Sequence, residues 1–305
     1  MTARAVRSSN ARGARIFVQI PAYRDTELAR TLTALFARAA RPDELRVVVL
    51  WQRAEHETLP ASLRRRENLE LIEVPYTESL GCNWARSVLQ KRWCGEPYTL
   101  LLDSHHRFVT GWDERVVAMY EGLRARGVRR PLVTAYLPPY VPETEPIGRK
   151  RSPYRIYPLE WQEGMLVRLT SHPIPFWRAL REPVPADFLS LHFLFTDGRF
   201  NEDVPFDPHT YFVGDEVSMS IRAYTSGFEL YHPHRVLGWH SYDRSSRVTH
   251  WTDHDDWREL NERSLARLRR LFRGRMRGRY GAGTRRSVSR YEEYLQLELV
   301  QRAYA

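Results

Sequence analysis

Asp103, Ser104 and His105 end an apolar run, Thr99 to Leu102, that is long enough for a buried strand and too short for a helix. A carboxylate and an imidazole two residues apart at a strand end can point at one bound ion, because open α/β sheets bind ligands outside the carboxyl ends of their strands. The same tripeptide also reads as a plain polar turn with Asp103 as a turn or cap residue. Two later stretches have the shape needed to complete a site. Asp215 and Glu216 precede a helical stripe of Val217, Ile221 and Tyr224 with Gly227 at the C-cap, so they fall exposed at the positive end of a helix, where an acid pair is also simply a favourable first turn. His240 is delivered by an apolar stretch beginning at Arg235 and is followed by a loop, Ser241 to Arg244.

One carboxylate, two imidazoles and waters can hold a divalent ion. Mixed oxygen and nitrogen ligands suit manganese, and less selectively zinc or magnesium. Such an ion, with open positions, suits a substrate diphosphate, where it stabilises negative charge on a departing phosphate. The Asp215/Glu216 pair could hold sugar hydroxyls or offset positive charge on a reacting sugar carbon. Arg86, near a helix start, could add charge-assisted bonds to phosphate.

The elements that would position these groups alternate. Strands are expected over Ile16 to Ile20, Leu45 to Trp51, Leu69 to Val74 and Leu100 to Leu102. Helices are expected from Asp25 or Thr26 to Arg38 and from Leu80 to Trp93. That alternation predicts a mainly parallel sheet flanked by helices. The pattern then loosens into a helix over Val117 to Arg126, a strand over Leu132 to Tyr136 and a Pro-rich loop or lid over residues 138–158. Antiparallel segments follow across 159–195. Strands are again expected at Phe228 to Tyr231 and Arg235 to His240, and helices at Trp257 to Phe272 and Tyr291 to Tyr304. The divisions expected are a flexible tail over residues 1–14, a catalytic unit over 15–256 and a helical C-terminal segment over 257–305 packing on the same domain.

At 305 residues the chain can bury a full core. The formal charge is +10, carried almost wholly by arginine, which favours anionic ligands such as phosphates. Two cysteines, Cys82 and Cys94, indicate no disulfide framework and read as buried thiols. No apolar run approaches the ~20 residues of a membrane span. No apolar core follows the basic N-terminus as a secretory signal requires, so a cytoplasmic protein is expected.

The ordered set of motifs resembles metal-dependent glycosyltransferases of the GT-A fold, including the polypeptide N-acetylgalactosaminyltransferases. It is more similar to the cytoplasmic UDP-GlcNAc:hydroxyproline polypeptide N-acetylglucosaminyltransferases. The carrying motifs are Ala22-Tyr-Arg-Asp25, Leu50-Trp-Gln52, Trp84-Ala-Arg86, Asp103-Ser-His-His-Arg-Phe108 and Gly111-Trp-Asp113. Val204-Pro-Phe-Asp207, Phe212-Val-Gly-Asp-Glu216, His250-Trp251 and Tyr280-Gly-Ala-Gly-Thr-Arg-Arg-Ser287 continue the series. The resemblance covers residues 15 to 295.

It implies a Rossmann-like sheet with a smaller antiparallel acceptor side. Asp103, His105 and His240 would be metal ligands, manganese first and magnesium second. Tyr23, Arg24, Asp25, Gln52 and Arg86 would contact a UDP-sugar, and Ser104 is a further candidate there. The Arg-rich segment 263–290 reads as a solvated helix face, or Arg285 and Arg286 beside Gly281 and Gly283 form a flexible loop that closes over the diphosphate. Asp215 and Glu216 would stand at the donor sugar. The close family usually carries two glutamates there, so Asp215 is a shorter variant. The implied activity is retaining transfer of N-acetylglucosamine, or another N-acetylhexosamine, from the UDP-sugar to a hydroxyl of a protein or peptide. Competing readings are a hydrolase that uses the same ligands to activate water, and a basic nucleic-acid binder. The second leaves Asp103, His105 and the acid pair without a role, so nucleic acid is not the expected partner. His106 reads as a packing residue, Asp113 as a cap of its own helix, and His250 with His254 as structural or nucleotide-contacting residues.

Overall fold

The computed structural model describes residues 13–244 and 247–301. The chain opens as β1 (Ile16–Tyr23), α1 (Leu28–Arg38), β2 (Leu45–Arg53), α2 (Ala61–Arg64), β3 (Leu69–Pro75), α3 (Cys82–Gln90) and β4 (Tyr98–Leu102). It continues through β5 (His106–Phe108), α4 (Trp112–Ala125), β6 (Pro131–Thr134), β7 (Tyr154–Gln162), β8 (Met165–Pro173), β9 (Val184–Pro185), β10 (Phe193–Asp197) and α5 (Phe200–Asp203). It closes with α6 (Asp215–Thr225), β11 (Glu229–His232), β12 (Gly238–His240), α7 (His250–Asp253), α8 (Trp257–Phe272) and α9 (Val288–Leu295).

Eight strands form one sheet in the order β3-β2-β1-β4-β10-β6-β11-β9. Pairings are parallel from β3 to β4 and between β6 and β11, and antiparallel around β10 and at β9. The near-continuous apolar runs of β1 and β2 require cover on both faces. Ile16, Val18 and Ile20 pack with Leu28, Leu32 and Leu35 of α1 and Trp112 of α4. On the other face, Phe17, Val48 and Leu50 pack with Ala85 and Leu89 of α3. Chain order reverses between β1 and β4, which opens a crevice beyond their carboxyl ends.

A second core lies behind the β7–β8 hairpin, where Val167 and Leu169 meet Val217 and Ile221 of α6 and Leu265, Leu268 and Phe272 of α8. The C-terminal helices therefore pack directly on the helix that begins at Asp215.

Several boundaries differ from those expected. β1 runs through Pro21 to Tyr23, in register with β2 to Gln52. α4 starts earlier, at Trp112, because Gly111 takes the left-handed conformation just before it (φ 70°). The irregular segment ends at Pro153, and β7 carries Pro158 at an irregularity in its pairing with β8. The strand expected from Arg235 shortens to Gly238–His240, since its partner β5 offers only three residues. The last helix is Val288–Leu295, capped by Ser287. The chain then extends and Leu299 accepts the Leu166 amide at 2.9 Å. The expected end of that helix beyond 301, and most of the expected N-terminal tail, lie outside the described residues.

Candidate active site

Three elements meet outside the carboxyl end of β4. The turn after Leu102 carries Asp103, Ser104 and His105, and β5 then returns. β12 pairs with β5 in a register that sets His240 opposite His106. Gly238 permits that approach, because a Cβ there would lie 2.4 Å from the Arg107 carbonyl oxygen. On its other side His240 donates its amide to Pro138 O at 3.1 Å and accepts from Tyr140 N at 3.2 Å.

Ligand atoms of Asp103, His105 and His240 all lie within 4.8 Å of one another. Asp103 Oδ2 stands 3.8 Å from His105 Nε2 and 3.5 Å from His240 Nε2. Asp25 Oδ2 lies 2.7 Å from His105 Nδ1 and accepts from Ser104 Oγ at 2.6 Å. A carboxylate on one imidazole nitrogen fixes the ring and aims the other, the usual support for a metal-binding histidine. Asp25 therefore serves as the orienting group for His105, and Ser104 braces it.

Both ring nitrogens of His240 are buried without a hydrogen-bond partner. Its ring is clamped by His192 (centroids 4.2 Å apart, stacked), Tyr242 (4.4 Å), His105 (4.6 Å) and His106 (4.9 Å). Burial, then the neighbouring imidazoles of His105 and His106, hold His240 well below the usual histidine range, so the neutral ligand form is kept. A buried neutral imidazole with no partner is costly unless a cation satisfies it. Burial pushes the Asp103 carboxyl up, but His105, Arg86 and His192 outweigh it and the net direction is downward. Arg247 Nη1 sits 2.6 Å from His105 Nδ1 and also against Nε2, so this edge already draws positive charge. One carboxylate and two imidazoles, converging and partly unsatisfied, fit a divalent cation.

These groups line a cleft of about 220 Å³ together with Tyr23, Gln52, Cys82 and Arg86. Arg86 bridges Asp215 Oδ2 at 2.9 Å and Asp103 Oδ1 at 3.6 Å. Asp215 is 8% exposed, against the exposure expected of it. Burial pushes its carboxyl up, and Arg86 and Asn83 offset only part of that, so the net direction is upward. With a guanidinium at 2.9 Å, the ionised pair satisfies both partners. Glu216 accepts from Leu191 N at 2.9 Å and pairs with the Tyr136 hydroxyl. Burial first, then Asp215, raises its carboxyl to about 7. Neither acid is part of the cleft lining: Asp215 braces Arg86 and Glu216 braces Tyr136 behind it.

Gln52 accepts from Ser79 Oγ at 2.5 Å and donates to Ala22 O at 3.3 Å. Tyr23 OH donates to Asp253 Oδ2 at 2.7 Å, and Arg24 Nη1 to Asp253 Oδ1 at 2.9 Å. Arg24 is thus spent on an ion pair and is not part of the cleft lining. α7, which ends at Asp253, straps across the mouth. His250 bonds Tyr211 OH at 2.7 Å and Ser79 O at 3.3 Å, His254 bonds Tyr76 O at 3.2 Å, and the two rings stack at 3.9 Å.

Arg285 is not brought here. Its amide donates to Thr225 O at 3.0 Å, at the far end of α6 from Asp215. Eleven helical residues separate the two ends by about 15 Å. The loop around Arg285 and Arg286 is fixed to α6 through the Thr225 carbonyl, and Arg285 is not part of the cleft lining. Arg244 and Arg247 line the cleft instead. They, His192 and Asp253 were missed: each is an isolated residue whose place depends on long-range packing. Asp113 accepts from Ala40 N and Arg41 N at 2.7 and 2.8 Å, so it ties down the chain after α1 instead of capping its own helix. Cys94 is exposed, not buried.

The fold is that of GT-A glycosyltransferases. The crystal structure of GalNAc-T7 with UDP, GalNAc and Mn2+ aligns over 93% of this chain at 15% identity with a TM-score of 0.58. This chain spans 55% of that protein's length. The mannosyltransferase PcManGT from Pyrobaculum calidifontis, in complex with GDP-Man and Mn2+, aligns over 98% of this chain and 74% of its own at 14% identity, TM-score 0.52. No curated protein sequence matches the chain. The family model for Glycosyltransferase (GlcNAc) matches residues 15–64 and 58–301, and the chain belongs to that family.

Proposed function

We propose that this glycosyltransferase moves N-acetylglucosamine, or a closely related N-acetylhexosamine, from a UDP-sugar to a hydroxyl of a protein or peptide. Transfer is metal-dependent and retains the anomeric configuration. The observation that carries this reading is the convergence of Asp103, His105 and His240 within 4.8 Å, beside Arg86 in the cleft beyond β1 and β4. Membership of the GlcNAc family, the UDP, GalNAc and Mn2+ in the GalNAc-T7 structure and the GDP-Man and Mn2+ in the PcManGT structure support the donor class.

Asp103, His105 and His240 would hold the ion, manganese first. When bound, the ion supplies Lewis-acid stabilisation of the diphosphate leaving group. The chain's own residues do the rest. Asp25 and Ser104 fix the His105 ring. Arg86, held by Asp215, and Arg244 and Arg247, which line the same cleft, would place positive charge around a bound diphosphate. Tyr23 and Gln52 shape the nucleotide end. Asp215 and Glu216 act through Arg86 and Tyr136. No helix among the described residues is long and apolar enough to cross a membrane. Two free cysteines suit a cytoplasmic setting.

The test is calorimetric titration of UDP with and without manganese, on wild type and Asp103→Ala, followed by turnover of UDP-GlcNAc with and without acceptor peptides. Manganese-dependent UDP binding lost in Asp103→Ala is expected. Equal UDP affinity in both proteins, or donor consumption that no acceptor accelerates, would overturn the metal assignment or the transferase reading respectively.

A further inference from the structure

The Arg- and Gly-rich segment 273–290 takes no part in the cleft. It contains seven arginines and no acidic residue. A charge run of this kind is commonly a solvated surface, but here its backbone is built into the fold. The Arg222 side chain, 3% exposed, donates to Gly281 O and Arg279 O at 3.3 and 3.2 Å. Gly283 N donates to Thr225 Oγ1 at 2.7 Å. A Cβ on Gly281 would meet Met276 O at 2.4 Å, and one on Gly283 would meet Ser226 N at 2.4 Å. The segment is therefore held tightly against the C-terminal end of α6.

That fixed backbone shapes a hollow of about 480 Å³ lined by Arg273, Arg275, Arg277, Arg286, Ser287 and Ser289. Arg286 is set in place by Phe228 O at 3.0 Å and by stacking 4.6 Å from the Tyr224 ring. Arg275 and Arg277 are exposed, and among the described residues neither forms an ion pair. The one acidic lining residue, Glu292, accepts the Leu299 amide at 3.0 Å. The first turn of α9 opens onto the same hollow and adds the positive end of its dipole.

We propose that this hollow binds a compact polyphosphate anion, a small molecule carrying two or more closely spaced phosphates, at a site separate from the donor cleft. Guanidinium forks match phosphate oxygens two at a time. Phosphates pack more charge into a hollow of this size than peptide carboxylates, which are spread along a chain at ~3.3 Å per residue. The arginines converge on a hollow, which favours a compact ligand over a nucleic-acid backbone that runs past one phosphate per ~3.4 Å of strand.

The probe is inorganic tripolyphosphate, titrated calorimetrically into the full chain at ~0.15 M salt without divalent ions, so that surface attraction is screened. The expected result is saturable one-to-one binding, weakened at least tenfold in the Arg275→Ala/Arg277→Ala double variant. Manganese-dependent UDP binding, measured on the same sample, stays unchanged and shows that the variant is folded. Arg275→Lys/Arg277→Lys keeps the charge and loses the forks, and should fall between the two. Three outcomes overturn the proposal. One is no saturable binding, and another is equal binding in the double alanine variant. The third is tighter binding of a single-stranded oligonucleotide with an affinity that grows with its length, which would make the surface a nucleic-acid contact.

Discussion

Arg86 offers the sharpest test of how this site is held together. Its guanidinium stands 2.9 Å from Asp215 and 3.6 Å from Asp103, and the residue is only 5% exposed. At an effective dielectric constant of about 20, those distances correspond to gross attractions of about 6 and 5 kcal/mol. Desolvating three charges takes back most of that. What an Arg86→Met variant exposes is the cost of leaving carboxylates buried without their counter-ion, about 3–5 kcal/mol. Urea unfolding should show a loss of that size. Adding Asp215→Asn to Arg86→Met removes one stranded charge and should restore half or more of it, a coupling that a double-mutant cycle measures directly. On the proposed role of Arg86 at the diphosphate, UDP binding in the presence of manganese should be lost in both variants, since the guanidinium is missing in both. A loss below about 1 kcal/mol in Arg86→Met would mean that the pair behaves like a solvated surface contact, and the reasoning would fail. A double variant no more stable than the single would show that Asp215 is not the charge Arg86 neutralises.

Three further predictions follow from the same geometry. Glu216 rises from an ordinary 4.5 to about 7 on folding, so the folded state binds more protons between those values and stability falls as pH rises through that window, by up to about 3 kcal/mol. Denaturation at pH 5 and 7.5 should show the fall in wild type and a flatter profile in Glu216→Gln; identical slopes would remove Glu216 as its source. His240→Ala should abolish manganese-dependent UDP binding while the circular dichroism spectrum persists, and retained binding would leave Asp103 and His105 as the sole protein ligands. Arg285→Ala should leave UDP affinity within about twofold of wild type, since Arg285 sits at the opposite end of α6 from Asp215, and a larger loss would return it to the donor site.

The Asp103-Ser-His105 strand end and the parallel half of the sheet were legible because their signals are local. Ile16 to Ile20, Leu45 to Trp51 and the Asp103-Ser-His105 break each report a buried strand or its end. The start of α6 was legible for the same reason, through Gly214 and the Val217, Ile221, Tyr224 stripe. What could not be read was which way polar groups face. Asp215 sits at a helix start, where acids are ordinarily solvated, yet α3 delivers Asn83 and Arg86 onto it from 129 to 132 residues away. His192 stacks on His240 across 48 positions of chain because β10 adds antiparallel beside β4. No spacing in the sequence encodes either contact.

The misplacement of Arg285 has a different physical origin. Residue type reports what a group can bind, and a basic loop near glycines is a reasonable phosphate ligand wherever it lies. Its location was decided by α6, whose first residue joins the cleft through Arg86 and whose last carries the Arg285 and Arg286 amides on the Thr225 carbonyl. One rigid helix therefore separates two positively charged regions. Arg86, Arg244 and Arg247 belong to the cleft at one end, and the arginines of 273–290 belong to the other. Raising ionic strength should weaken binding that depends on the exposed Arg275 and Arg277 more than binding that depends on Arg86, which is 5% exposed and so less screened.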